Sequence, residues 1–380
     1  MKQLFFLIAF LFCISAEAQK TVEVFPSQQL GTDREITIGL PASYAKNTTK
    51  KYPLLILLDG DYLFDPFSGA LNYGAYWDDL PEVIIVGISQ NKNEERFTDC
   101  AVDKTTGLPD EAGNKFYEFV GLELVPFLQK KLRIAPFKII AGHDTTAGFL
   151  NFFLYKDQPL FDAYISMSPE LAPGMEEQIP ERLSLIAQPI YYYHSTADGD
   201  VKKMQKRIQT LDEGAKKITK PTLNYRFDDF KGASHYSLVL QSIPDALYQF
   251  FEVYQPISTA EFDSKIVTMQ AGYVDYLIKK YDVMEKSLNI KMPIRINDFR
   301  AIEAAIMKNK AYPELDKLAD LAKKNYPKSM LADYEMAQMY EKTGDNKKAI
   351  KSYQTAYQKE EIGHLTKDMM LDKADELKNM

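Results

Sequence analysis

The chain has 380 residues, of which 46% are apolar and 12% aromatic, so it is long enough for a main domain of about 230 residues and a smaller second one. Its formal net charge of -7 disfavours binding to nucleic-acid phosphates, and nucleic acid is therefore excluded as an expected partner. Cys13 and Cys100 are too few cysteines for a disulfide-stapled scaffold, so a hydrophobic core must hold the fold.

The first residues have the composition of a secretory signal peptide. Lys2 supplies a positive charge, residues 4–14 form an apolar run, and Ala16-Glu-Ala18 is a small-residue cleavage site. The sequence therefore predicts removal of residues 1–18 and a secreted protein, periplasmic or extracellular. An uncleaved membrane anchor is the alternative. The mature chain has no further apolar run of about 18 residues, so no other membrane span is expected.

Residues 19–256 have the pattern of strands that alternate with helices. Residues 21–25 and 34–40 alternate apolar and polar side chains, which is typical of half-buried antiparallel strands. Residues 52–58 and 83–88 are continuous aliphatic runs, which indicate parallel strands buried on both faces. Further strands are predicted at residues 137–140, 161–166, 189–194 and 222–227. This pattern predicts an α/β fold with a mostly parallel central sheet and helices on both faces.

Residues 257–380 are rich in Lys, Ala, Tyr and Met and lack aliphatic strand runs, which predicts a small all-α C-terminal domain. Small and aromatic residues recur there at a spacing that resembles the tetratricopeptide repeat: Ala337, Tyr340, Gly344, Ala349, Tyr353 and Ala356. A plain helical hairpin is the alternative. Because a single repeat rarely buries a core alone, we expect these helices to pack on the first domain or on a protein partner.

The segment from Lys138 to Gly148 predicts a strand, a tight turn and a helix. An apolar run ends at Gly142, the polar Asp144 follows, and small residues lead into a second apolar segment. The nucleophile elbow of α/β hydrolases, Gly-x-Ser-x-Gly, has this architecture. Gly142 matches that pattern, Asp144 stands in place of the serine, and Thr146 stands in place of the second glycine.

Several motifs together resemble the putative-esterase family of α/β hydrolases, which includes siderophore esterases, feruloyl esterases and S-formylglutathione hydrolase. The resemblance covers about residues 22–254. The matching motifs are Lys51-Tyr-Pro-Leu-Leu-Ile-Leu-Leu-Asp-Gly-Asp61, Pro81-Glu-Val-Ile-Ile-Val-Gly-Ile88, Glu123-Leu-Val-Pro-Phe127, Ser168-Pro169 and Ser234-His-Tyr-Ser237.

The resemblance implies a nucleophile, an acid and a histidine in that chain order. Position 144 holds the place of the nucleophile, and His235 follows the last strand, as the family's histidine does. For the acid, Asp198 lies closer to the family's spacing and Asp200 is the alternative. The implied oxyanion donors are backbone N–H groups, which belong to Asp61 or Tyr62 and to Thr145.

Residues outside this set have weaker claims. The loop at residues 91–99, with Arg96 and Asp99, either positions substrate or is simply solvated. His143, His194 and His364 are spread along the chain without a short spacing to Cys or carboxylate residues, so we predict no metal site. No glycine-rich phosphate loop follows a strand, and we predict no cofactor.

Asp144 changes the chemistry that the resemblance implies. A carboxylate that attacks an ester carbonyl gives a reactive anhydride, so ordinary serine-esterase chemistry does not follow from this sequence. Gly142-His-Asp144 also resembles the elbow of haloalkane dehalogenases and epoxide hydrolases, in which aspartate attacks saturated carbon. Those enzymes carry a large helical cap, whereas residues 170–187 are too short for one.

Three functional hypotheses therefore remain open. The first is an esterase-like hydrolase that acts on a small ester-like substrate through Asp144 or through a water aligned by His235. The second is a non-catalytic descendant that binds a small ligand or a protein partner. The third is an Asp-nucleophile hydrolase of the dehalogenase or epoxide-hydrolase type.

Overall fold

The computed structural model describes residues 20–379 as two compact units. The first comprises the described residues up to Ala75 together with Glu82–Gln249, and the second comprises Tyr76–Pro81 and the described residues from Phe250 onward. The predicted signal peptide, residues 1–18, lies outside the described residues. Within residues 20–379, no helix combines the length and the apolar composition needed to cross a membrane.

The first unit is built on an eight-stranded sheet in the order β1-β2-β4-β3-β5-β6-β7-β8. The strands are β1 Lys20–Pro26, β2 Asp33–Gly39, β3 Tyr52–Leu57, β4 Ile84–Ile88, β5 Ile134–His143, β6 Ala163–Met167, β7 Ile190–Gly199 and β8 Leu223–Ser234. β2 pairs antiparallel with β1 and with β4, and the remaining neighbours are parallel. The predicted α/β fold with a mostly parallel sheet is therefore confirmed.

Within residues 20–250, seven α-helices lie between these strands in the chain, and an eighth follows the last strand. They are α1 Gly60–Tyr76, α2 Glu95–Asp99, α3 Glu111–Glu118, α4 Val125–Lys131, α5 Thr145–Phe149, α6 Met175–Leu185, α7 Lys202–Ala215 and α8 Leu238–Phe250. A π-helical turn, Phe119–Leu124, joins α3 to α4, and a 3-10 turn, Leu150–Leu154, extends α5.

The aliphatic strands are buried on both faces of the sheet. Successive strand side chains point to opposite faces, and Leu54, Leu55, Ile56 and Leu57 of β3 are all fully buried. A strand with no exposed position needs cover on both sides of the sheet, which is why its sequence does not alternate. All positions of β4 and β6 are buried in the same way. Parallel strands held like this bring their carboxyl ends to one edge, where the connecting loops meet.

The second unit is helical in its described part. Its α-helices are α9 Thr259–Glu261, α10 Tyr273–Leu288, α11 Ile296–Lys308, α12 Glu314–Asn325, α13 Leu331–Thr343, α14 Asn346–Tyr357 and α15 Lys367–Lys378. A π-helical turn, Phe262–Ile266, follows α9, and a 3-10 turn, Glu252–Tyr254, precedes it. Gly344 caps the end of α13, and its φ of 85° lies in the left-handed region that favours glycine. Ala337, Ala349, Tyr353 and Ala356 are fully buried, as close helix packing requires.

Glu335 in α13 is a buried carboxyl group without a hydrogen-bond partner for either oxygen. Burial, with a smaller contribution from the nearby Glu303 carboxylate, raises the pKa of Glu335 well above its usual value. At pH values between the unfolded-state and the folded-state pKa of Glu335, the chain therefore takes up a proton at this side chain when it folds. Its free energy of unfolding should fall as pH rises above the unfolded-state pKa of about 4.3.

We expect Glu335→Gln to raise the free energy of unfolding at pH 8 by about 1–3 kcal/mol, because it removes the buried acid. The gain should shrink toward pH 4.5. Glu341→Gln, on the same helix, is the matched control. Lys342 and Tyr353 bond the Glu341 carboxylate and outweigh burial, so its pKa is lowered and this variant should lose stability at pH 8. Denaturant unfolding at both pH values measures each effect. Equal stability of Glu335→Gln and the unmodified protein at pH 8 would contradict an unpartnered Glu335.

Candidate active site

The predicted elbow is a strained turn between β5 and α5. Asp144 has φ 59° and ψ -121°, a backbone conformation that is costly for a residue with a Cβ. The turn also needs small neighbours. A Cβ on Gly142 would lie 2.9 Å from the backbone carbon of Thr146, and one on Gly148 would lie 1.9 Å from the Glu170 carbonyl oxygen. Glycine at both positions allows this close approach of the backbone, and the turn leaves the Asp144 side chain 25% exposed at the carboxyl end of β5.

His235 lies between two carboxylates. It follows β8 and precedes α8, and its Nδ1 atom is 2.7 Å from Asp200 Oδ1. Its Nε2 atom is 3.9 Å from Asp144 Oδ1, which is longer than a hydrogen bond. Because a carboxylate only accepts, the neutral imidazole carries its proton on Nδ1 and keeps Nε2 free as a base facing the elbow.

The acid that contacts His235 is Asp200, so the preference for Asp198 was wrong. The Asp198 side chain is exposed and accepts a hydrogen bond from the Gly232 N–H at 2.9 Å. A turn explains the difference, because the Asp200 N–H donates to the Ala197 carbonyl at 3.1 Å and the β7–β8 register shifts at this point. That turn carries Asp200 inward to His235 and leaves Asp198 at the surface.

The Asp200 carboxylate is fully buried and held by four donors. Besides His235, these are the Ser168 hydroxyl at 2.7 Å, the Thr196 hydroxyl at 2.8 Å and the Val201 N–H at 2.7 Å. Burial alone would raise the pKa of Asp200, but these hydrogen bonds outweigh it and hold the pKa at about 2. The hydrogen bond to Asp200 in turn raises the pKa of His235, against the opposing effect of burial. Asp200 therefore stays ionised and stabilises a protonated His235.

Arg96 joins the elbow to a second buried carboxylate. Its Nε donates to Asp59 Oδ1 at 2.8 Å, its Nη1 to Asp144 Oδ2 at 3.3 Å, and its Nη2 to the His143 carbonyl at 2.8 Å. Asp59 is fully buried, and the Thr146 hydroxyl donates to its other oxygen at 2.7 Å. Of the two readings of the 91–99 loop, the structure thus places Arg96 in the site rather than in solvent. Asp59 is absent from the residues predicted for the site, although it lies within the motif at residues 51–61.

His143 forms a hydrogen bond with the backbone of His235. Its Nε2 atom lies 3.0 Å from the His235 carbonyl, which only accepts, so Nε2 carries the proton. Burial, and then the neighbouring His235, lower the pKa of His143. A neutral His143 therefore fixes the backbone of His235.

The hydrogen bonds already present narrow the choice of backbone N–H groups that could bind an oxyanion. The Tyr62 N–H donates to the Asp59 carbonyl at 3.2 Å within the first turn of α1, so this amide is engaged and the Tyr62 alternative is disfavoured. The Asp61 carboxylate accepts from the Ser89 hydroxyl at 2.6 Å and the Gln90 N–H at 2.8 Å, which fixes the start of α1. Asp61 and Thr145 remain the candidate backbone donors.

A cavity of about 420 Å³ opens over this group, and we call it the elbow cavity. It is lined by Tyr62, Pro66, Asn91, Arg96, His143, Asp144, Tyr236, Val239 and Leu240. Its size suits a small organic ligand. Among residues 20–379, no cluster of three or more His, Cys, Asp or Glu side chains could hold a metal ion.

The sheet, the strained elbow and the Asp200–His235 pair define an α/β hydrolase. The family model for "Putative esterase" matches residues 27–216, and the chain belongs to that family. The matched segment begins directly after β1, ends directly after α7, and contains Asp144 and Asp200. His235 lies beyond it.

Solved structures extend the comparison beyond residues 27–216. An uncharacterised protein from Capnocytophaga ochracea is 30% identical, with a TM-score of 0.84 over 95% of this chain and 100% of that one. An IroE-like serine hydrolase from Shewanella oneidensis is 20% identical, with a TM-score of 0.59 over 80% of this chain and 99% of that one. The BES protein from Bacillus cereus is 20% identical, with a TM-score of 0.53 over 65% of this chain and 97% of that one. The last two likenesses show the fold alone. No curated protein matches the sequence.

Proposed function

We propose that this protein is an exported esterase-like hydrolase in which His235 activates a water molecule for attack on a small ester. Asp144 orients that water and forms no covalent intermediate. One observation carries the proposal: His235 Nε2 faces Asp144 Oδ1 at 3.9 Å while Asp200 holds Nδ1 at 2.7 Å. Two acceptors at that separation can both accept from one water at ordinary distances of about 2.8 Å. The lone pair of the water then points away from both, toward a substrate.

The proton and the bonds can be followed through this route. The water oxygen bonds to the ester carbonyl carbon as its proton moves to His235 Nε2, and Asp200 stabilises the imidazolium that forms. The carbonyl oxygen becomes an oxyanion near the Thr145 and Asp61 N–H groups. When the bond to the leaving oxygen breaks, Nε2 returns the proton to that oxygen. Asp144 is unchanged at the end of the cycle.

Arg96 supports the orienting role of Asp144 over a nucleophilic one. Its guanidinium binds Asp144 Oδ2, which withdraws electron density from the carboxylate and leaves Oδ1 toward His235. A carboxylate paired in this way is a weaker nucleophile, and its attack on an ester would in any case form an anhydride. The same ion pair also balances negative charge that would otherwise repel the developing oxyanion. Between β6 and β7 the chain has one 11-residue helix, α6, so nothing in that connection favours the dehalogenase type.

The test combines kinetics with mass spectrometry of the peptide that contains Asp144. We expect slow hydrolysis of 4-nitrophenyl acetate, a loss of about 10²–10⁴-fold in His235→Gln, and no labelling of the unmodified protein by a fluorophosphonate. Turnover in H₂¹⁸O should place the label in the product acid and none in Asp144. An acyl or alkyl adduct on Asp144 in His235→Gln would overturn the water route. Ligand binding without turnover over a broad ester panel would instead support the binding-protein hypothesis.

Export is the second part of the proposal and rests on the composition of residues 1–18. N-terminal sequencing of the protein recovered from its native host should begin at Gln19. A protein that begins at Met1 would contradict cleavage and support the uncleaved anchor.

A further inference from the structure

A second cavity, of about 580 Å³, lies beside the elbow, and we call it the lysine cavity. Thr145 and Gly148 of α5 line one part of it, and Lys104, Glu170, Lys203 and Arg207 supply its charged side chains. Thr145 is also a candidate oxyanion donor. A substrate whose carbonyl lies at Thr145 can therefore extend one of its ends into this cavity.

The two cavities differ in their relation to His235. Tyr236, Val239 and Leu240, which follow His235 in the chain, line the elbow cavity. His235 Nε2 must deliver a proton to the leaving oxygen, so the leaving alcohol belongs on the His235 side, in the elbow cavity. The acyl part of the ester then extends to the other side of the carbonyl, into the lysine cavity.

Two lysines make the lysine cavity attractive to an anion. Within residues 20–379, neither Lys104 nor Lys203 has an ion-pair partner within 4.0 Å, and both are exposed to solvent. Arg207 is different, because Glu176 and the carbonyl oxygens of Leu171 and Ala172 already bind its guanidinium. Glu170 is the one opposing charge, and its Oε2 atom accepts from the Thr145 hydroxyl at 3.0 Å.

Lys203 occupies a position that is unfavourable for a cation. It lies in the first turn of α7, a 14-residue helix whose first turn has no acidic residue. The N-terminus of a helix carries partial positive charge, so a cation there is unfavourable for the helix itself. In a chain with a net charge of -7, two exposed lysines without an ion-pair partner in the described part of the chain thus lie beside one cavity, and one of them is on the first turn of α7.

We infer that the lysine cavity binds a carboxylate at the far end of the acyl chain, so that the substrate is a monoester of a dicarboxylic acid. This inference rests on the proposed function, because that function places the ester group at Asp144 and His235. The volume of the cavity suits a short acyl chain with a terminal carboxylate.

The test compares matched charged and neutral esters. We choose the 4-nitrophenyl monoester of adipic acid against 4-nitrophenyl hexanoate, since both have six-carbon acyl chains and the adipate is too long for its own carboxylate to catalyse hydrolysis efficiently. In the unmodified protein, kcat/KM should be about tenfold higher for the adipate, chiefly through a lower KM. The ratio should fall below one in Lys104→Glu/Lys203→Glu. Lys206→Glu, an exposed site on the same helix that does not line the cavity, is the matched control and should keep the ratio.

A binding measurement separates failure of this inference from failure of the proposed function. Calorimetry of monomethyl adipate with His235→Gln requires no turnover, and binding should weaken about tenfold on adding Lys104→Glu/Lys203→Glu. Lysine-dependent binding without any ester hydrolysis would support the inferred carboxylate site and contradict the proposed hydrolase function. Hydrolysis with an adipate-to-hexanoate ratio near one, unchanged by the lysine substitutions, would overturn the carboxylate site and keep the hydrolase.

Discussion

Asp144→Ser is expected to raise kcat/KM for 4-nitrophenyl acetate by about 10²-fold or more over the unmodified protein. The substitution supplies a hydroxyl on a backbone already held at φ 59° and ψ -121°. The Asp200–His235 pair, at 2.7 Å, is already in place to accept its proton. A serine also forms a stable acyl-enzyme, which a carboxylate does not. The same variant should become reactive to a fluorophosphonate.

Two further variants show whether the hydroxyl causes the gain. Asp144→Asn removes the charge without adding a nucleophile, so its kcat/KM should be equal to that of the unmodified protein or lower. Asp144→Ser/His235→Gln keeps the hydroxyl but removes its base, and it should lose most of the gain. If Asp144→Ser is as inert as Asp144→Asn and resists the probe, then His235 Nε2 is not aligned with position 144 in solution. That result would favour a binding role for the site.

The fold was predictable because its strongest signals are local. Continuous aliphatic runs such as residues 52–58 and 83–88 identify strands buried on both faces, and β3 and β4 lie there. The elbow was predictable for a related reason. Its turn requires a small residue at Gly142, where a Cβ would meet Thr146, and that requirement is visible in the sequence. Both inferences need only the chemistry of neighbouring residues.

The details of the site were less predictable because they depend on contacts between distant segments. Asp198 and Asp200 are two residues apart, and only the turn that bonds the Asp200 N–H to Ala197 decides which of them reaches His235. Arg96 meets Asp144 across 48 positions in sequence, and no local pattern marks that pair. Spacing relative to a family cannot settle such choices, since one turn reverses the direction of a side chain.

Asp200→Asn is expected to lower kcat/KM by about 10³–10⁴-fold in the Asp144→Ser background, where activity is easily measured. The Asp200 carboxylate keeps the proton of the neutral His235 on Nδ1 and stabilises the imidazolium. An asparagine can do neither reliably, because its amide group can donate to Nδ1 and so favour the wrong tautomer. Asp198→Asn is the matched control. Its carboxylate bonds the Gly232 N–H at the surface, so activity should stay within about twofold of the parent.

The pH profile distinguishes this role of Asp200 from a merely structural one. The hydrogen bond to Asp200 is the largest cause that raises the pKa of His235, and the base must be neutral to act, so kcat/KM of Asp144→Ser should rise with pH as His235 loses its proton. Without Asp200, burial and Arg96 oppose protonation of His235, and the acidic limb should move to lower pH even as the plateau falls. A structural defect would lower the plateau and leave the limb in place. A large loss in Asp198→Asn with little loss in Asp200→Asn would reverse the assignment, because it would show that Asp198 reaches His235 in the working protein.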